Sequence, residues 1–149
     1  RQAHPDAEVE TWDLWAESLP EFNGATINAK YNVLGGQDHE SPERLAWQQI
    51  ELIANRFKSA DHYLIGLPMW NFGIPYKLKH LIDVIAQPGL TFGYDPAKGY
   101  FGLVTGKQAV TIYAKGGKYS AGSGAEALDF QQPYLEHILR FMGITEQHA

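Results

Sequence analysis

The side chains that ordinarily carry catalysis are sparse and scattered in this chain. No cysteine is present, which excludes thiolate nucleophiles, iron–sulfur ligation, cysteine zinc sites and disulfides together. Of the histidines, His4, His39, His62, His80, His137 and His148, no two stand four residues apart, the helical spacing that lets a pair share a zinc ion. A metal role is therefore not expected. Gly122-Ser123-Gly124 is not preceded by a strand pattern, so it reads as a loop rather than a nucleophile elbow. The sequence also lacks the GxxxxGK[ST] phosphate loop and a GxGxxG opening a helix after a strand. His80 reads as a surface histidine, and Lys79 with Asp83 as a solvated ion pair one helical turn apart.

A protein whose bound cofactor performs the reaction needs binding loops more than acid–base side chains, and this chain offers two. Met69-Trp70-Asn71-Phe72-Gly73 combines main-chain donors, an amide side chain with both donor and acceptor capacity, and aromatic surface for stacking. Ala114-Lys115-Gly116-Gly117-Lys118 ends a second apolar run with a glycine turn. Both suit a flat heterocycle such as a flavin. From spacing alone, a plain strand-to-helix connection with buried aromatics accounts for the first turn equally well.

The elements that would position these turns follow from periodicity. Val9-Glu10-Thr11-Trp12-Asp13-Leu14-Trp15 reads as a short strand, followed by a long connection to Gln37 marked by Pro20, Asn23-Gly24 and Gly35-Gly36. Ser41-Pro42-Glu43 reads as a helix start with Ser41 as the cap, and Ala46, Ile50, Ile53 and Phe57 share one face. His62 to Met69 is nearly continuous apolar sequence, as expected of a central strand covered on both sides. Pro75 opens a helix with Leu78, Leu81, Ile82 and Ile85 on one stripe, Ala109 to Ala114 is another buried strand, and a last helix runs from about Pro133. Leu135, Ile138, Leu139 and Met142 form the inner face of that helix, and Gly143 ends it. This alternation predicts an α/β fold with a parallel sheet, in which ligands sit at the carboxyl ends of the strands.

Composition bounds the partners. The chain has 149 residues, 44% hydrophobic and 19% charged, enough to bury one domain's core, so residues 1–149 read as a single domain. A formal charge of -5 gives no electrostatic case for nucleic acid or an anionic membrane surface. The longest apolar stretch, Tyr63 to Trp70, is too short to cross a bilayer. The lack of cysteine suits a reducing compartment, and the cytoplasm is the simplest expectation.

Pro68-Met69-Trp70-Asn71-Phe72-Gly73-Ile74-Pro75, followed by Leu78-Lys79, Ile82-Asp83, Thr91-Phe92-Gly93-Tyr94, Gly102-Leu103-Val104-Thr105-Gly106-Lys107 and Lys115-Gly116-Gly117, resembles the FMN-dependent NADH-azoreductase family, also described as quinone reductases. The match is ordered and spans roughly residues 8 to 145. The resemblance implies a flavodoxin-like three-layer sandwich, a homodimer, and ping-pong hydride transfer from NADH through FMN to a quinone or azo substrate. It places the isoalloxazine ring against Met69, Trp70, Asn71 and Phe72 and against Ala114, Lys115, Gly116 and Gly117. It places Tyr94 and Phe141 near the substrate and leaves two roles open for Phe141, contribution from the partner subunit and core packing. Trp70 stands where the family often has Tyr, and Ala114-Lys115 where Ser-Arg is common.

The resemblance also implies departures. The family's first strand and its serine-bearing phosphate loop have no counterpart, and the chain is expected to stop after Gly143-Ile144-Thr145, before the family's fifth strand and last helix. The chain thus reads as a fragment with an exposed strand edge and apolar surface. Two other readings remain: a different flavodoxin-like NAD(P)H reductase, or a non-catalytic flavin-binding or dimerisation module.

Overall fold

The computed structural model describes residues 5–36 and 41–149. Its framework is a parallel sheet of β1 (His62–Pro68), β4 (Gln108–Ala114) and β5 (Glu146–His148), in the order β1-β4-β5. A separate antiparallel hairpin, β2 (Phe92–Asp95) with β3 (Gly99–Gly102), projects between β1 and β4 in sequence. Four helices complete the fold: α1 (Gly24–Leu34), α2 (Ser41–Ser59), α3 (Tyr76–Ile85) and α4 (Gln132–Met142). The three helices expected from periodicity form, and their predicted stripes supply Ile50, Phe57, Leu81, Ile82, Ile85, Leu135, Leu139 and Met142 to one core. Gly143 closes α4 in the left-handed conformation, φ 111°, which glycine adopts without a Cβ clash.

The structure departs from expectation at four places. Residues 9–15 form no strand, because no described residue pairs with them in a ladder. Trp12 and Leu14 still pack against the core. The connection expected up to Gln37 contains α1 instead. Asn23, whose Asn-Gly pair reads locally as a turn, is its N-cap, with Oδ1 accepting from the N–H groups of Ala25 at 3.2 Å and Thr26 at 3.4 Å. The fifth strand, expected beyond the chain, is formed by Glu146–His148 and lies parallel to β4. The cap contacts expected of Ser41, and residues His4, His39 and Gln37, lie outside the described residues.

The fourth departure concerns the sheet's two faces. Leu67, Ala109 and Thr111 point into the core, while Leu64 (75% exposed), Val110 and Ile112 (60%) point the other way. Both central strands, predicted to be buried on each side, are covered on one face only among the described residues. The 370 Å³ groove beside β1 is lined by Trp12, Leu14 and Trp15 across from Tyr63, Ile65 and Leu67.

Candidate functional site

The pairing of β1 with β4 determines where the two turns lie. Parallel register sets Pro68 opposite Ala114, so both strands reach their carboxyl ends together. The Met69 N–H then donates to the Ala114 carbonyl at 2.8 Å, joining the turns at their roots. The segments singled out from sequence, 69–73 and 114–118, are therefore adjacent at one end of the sheet, where open α/β sheets bind ligands.

The turns are built differently. In the first, Trp70 and Gly73 exchange backbone hydrogen bonds at 3.0 and 2.9 Å, and the two residues between them adopt left-handed conformations, φ 48° at Asn71 and 69° at Phe72. Such values cost a residue with a Cβ free energy and favour glycine, so tertiary contacts must hold them. One such contact is the Phe130 N–H donating to the Phe72 carbonyl at 2.9 Å. The second turn makes no comparable internal backbone bond, and Gly116 has open space where a Cβ would point. The Lys115 ammonium turns aside to Asp129 Oδ2 at 2.5 Å and Gln132 Oε1 at 3.2 Å.

What these turns present outward is polar main chain beside aromatic surface. The N–H groups of Asn71, Phe72, Gly116 and Gly117 have no hydrogen-bond partner among the described residues, and all four residues are exposed. Unpaired donors on neighbouring strand ends can accept a planar ligand edged with carbonyl oxygens and ring nitrogens. An FMN ring has such an edge, and the open glycine turn leaves room for it. The donor set therefore fits the cofactor. Trp70 adds a ring packed 5.6 Å from Trp15 and 6.3 Å from Tyr76, centroid to centroid. A cavity of 840 Å³ opens beside Trp70 and Asn71, walled on its far side by Phe130, Tyr134 and His137.

Other predicted residues fall elsewhere. Tyr94 and Phe141 belong to a separate aromatic cluster of the hairpin and α4, with Tyr100 centred 5.0 Å from Tyr94 and 5.8 Å from Phe141. Neither borders the cavity beside Trp70. Phe141 also packs against the core, as its rival reading has it. Lys79 pairs with Asp83 at 2.5 Å, as expected, whereas His80, expected at the surface, is partly buried and bonds the Pro20 carbonyl at 2.8 Å. Asp129, Phe130 and Gln131 were not anticipated, although an aspartate three residues ahead of Gln132 is a helix-capping signal. Trp15 and Tyr76 were likewise missed as neighbours of Trp70.

Comparison with known proteins identifies the family. A family model described as flavodoxin-like fold matches residues 1–149. An FMN-dependent NADH:quinone oxidoreductase of Desulfotalea psychrophila is 50% identical over 147 residues, covering 99% of this chain and 69% of that protein. The crystal structure of an azoreductase from Bacillus anthracis superposes with a TM-score of 0.87 at 33% identity, covering 99% of this chain and 70% of the other. A second B. anthracis structure, an FMN-dependent NADH-azoreductase in complex with FMN, gives 0.79 at 30% identity, over 92% and 65%. The sequence resemblance and the fold point the same way: the chain belongs to the flavodoxin-like family of FMN-dependent NADH:quinone oxidoreductases and azoreductases.

Proposed function

We propose that this chain binds FMN across the 69–73 and 114–117 turns and acts as an NADH:quinone oxidoreductase that also reduces azo compounds. The observation carrying this reading is the Met69–Ala114 hydrogen bond, which sets two groups of free main-chain donors side by side. When bound, FMN supplies the hydride chemistry, accepting from NADH and passing reducing equivalents to the acceptor. The chain's own part is orientation and charge. Main-chain N–H groups at Gly116 and Gly117 stabilise negative charge on the ring's pyrimidine side at no reorganisation cost, because the turn is already formed. Asn71 offers its amide to the ring edge, and Phe72 and Trp70 exclude water beside it. Among the described residues no cluster of His, Asp or Glu could hold a metal ion.

The substrate roles of Tyr94 and Phe141 are consistent with a homodimer. In a single chain both lie in the hairpin cluster, apart from the cavity beside Trp70, and a second copy is the proposed source of Phe141 at the ring. No helix among the described residues is long and apolar enough to cross a membrane, and a cytoplasmic location fits the lack of cysteine.

Titrating FMN into the chain and following flavin fluorescence tests the reading. Saturable binding is expected, together with NADH-dependent reduction of a benzoquinone. Rates on that quinone set against an azo dye identify the preferred acceptor. A chain that leaves flavin fluorescence unchanged at every concentration overturns the proposal in favour of a module without the cofactor. Among the described residues β1 has no partner on one side and the face at Leu64 and Ile112 is bare, and these features are what favour that second reading.

A further inference from the structure

Three consecutive residues before α4 touch both turns and the end of β1. Asp129 Oδ2 accepts from Lys115 Nζ at 2.5 Å, with the two side chains only 8% and 16% exposed. Its other oxygen, Oδ1, accepts from the N–H groups of Gln131 at 3.0 Å and Gln132 at 3.1 Å, fixing the first turn of α4. The Phe130 N–H holds the Phe72 carbonyl, and Gln131 Nε2 donates to the Leu67 carbonyl at 3.4 Å. Gln132 closes the set by accepting from Lys115 and donating to Glu136. One short segment thus bonds to the glycine turn, the end of β1 and the aromatic turn at once.

The geometry points to Asp129 as a positioning residue that sets the spacing of the two turns, holding the glycine turn through Lys115 and the aromatic turn through the adjoining Phe130 amide. The physical need is evident in the turns. Phe72 sits in a left-handed conformation that favours glycine, and the 114–118 turn lacks internal backbone bonds, so the Phe130 and Lys115 bonds brace what each turn's own backbone leaves weak. A carboxylate suits this task because it accepts from several donors simultaneously, and charge-assisted bonds in a poorly solvated position hold geometry more firmly than neutral ones. Lys115 accordingly serves the site by bracing its own turn through its side chain. The inference rests on the ring-binding reading of these turns only for its catalytic consequence; the mechanical coupling stands apart from it.

The experiment has two arms on the full chain. The first uses no flavin: amide hydrogen exchange is followed at Gly73 and Phe130 on the aromatic side and, on the glycine side, at Met69, whose N–H is held by the Ala114 carbonyl at the root of that turn. Asp129→Asn keeps the shape and removes the charge, and it should speed exchange about tenfold on both sides while the middle of β4 keeps its protection. Lys115→Met should do the same, and the double variant should be no worse than either alone, since all three remove one linkage. Lys115→Arg, which can bond both Asp129 and Gln132, should restore parental exchange. The second arm titrates FMN, and the single variants should weaken binding about tenfold, with Lys115→Arg again restoring it. Faster exchange confined to the glycine side, or additive effects in the double variant, would overturn the coupling. A parental chain that fails to bind FMN sinks the cofactor reading and leaves the exchange result to decide the coupling.

Discussion

The two turns at the strand ends solve one problem by opposite means. The aromatic turn is closed by its own backbone, through the reciprocal Trp70–Gly73 bonds, and pays with two residues in left-handed conformations. The glycine turn carries no such strain and no such closure; the Lys115–Asp129 pair secures it from outside. Burial alone would raise the Asp129 carboxyl. The hydrogen bond from Lys115 and the N–H groups of Gln132 and Gln131 outweigh that and hold its pKa below the usual carboxylate value. The difference teaches that adjacent loops with the same proposed task can fail by different routes, one through local conformation and the other through a distant side chain.

The largest expected effect comes from the outside tie. Lys115→Met leaves a nearly buried carboxylate without its counter-ion, and urea unfolding should register a loss of about 3 kcal/mol. A loss below about 1 kcal/mol would place the pair among weak surface contacts and dissolve the contrast. Protons should remove the same contribution more gradually. Because the folded pKa of Asp129 is depressed, its stabilisation is complete above the ordinary value of 3.8 and disappears as pH falls through the lower folded value. The stability gap between the parent and Asp129→Asn should therefore be constant near neutrality and narrow below about pH 4. A gap that widens on acidification would contradict the sign.

The aromatic turn should respond in the other direction. Asn71→Gly relieves a left-handed residue and should raise the unfolding free energy by up to about 1 kcal/mol, at the expense of the side-chain amide proposed to meet the ring. A stability loss would mean that the Asn71 side chain, not the backbone, holds that turn. The smallest effects belong to the bare face of the sheet. Leu64→Thr and Ile112→Thr should each stay within about 0.5 kcal/mol, since the side chains already face solvent. A larger loss would reveal a covering partner on that face, and equilibrium sedimentation of the parent would then identify self-association.

How much of this was legible beforehand depended on whether the signal was local. β1, β4, α2, α3 and α4 announce themselves through apolar runs or stripes, and the site turns through the glycine and aromatic residues that interrupt them. Helix α1 was hidden because Asn23-Gly24 reads as a turn until Asn23 is seen capping the N–H groups that follow. The β2–β3 hairpin was not anticipated, for its strands are four residues each and supported by packing against α4: a Cβ on Gly102 would lie 2.3 Å from the Gly143 backbone. Residues 9–15 carry strand-like sequence and form none, because a strand exists only with a partner.

Taken alone, the order and spacing of residues determined the α/β character, the family resemblance and the two turns that matter, since each is written in contiguous sequence. Tertiary structure decided that those turns meet, through the register of strands 46 residues apart at Pro68 and Ala114. It also decided that Asp129 braces Lys115, 14 positions away. Periodicity reports which side of an element faces the core, but a hydrogen bond between distant segments depends on where the whole chain has carried its two ends.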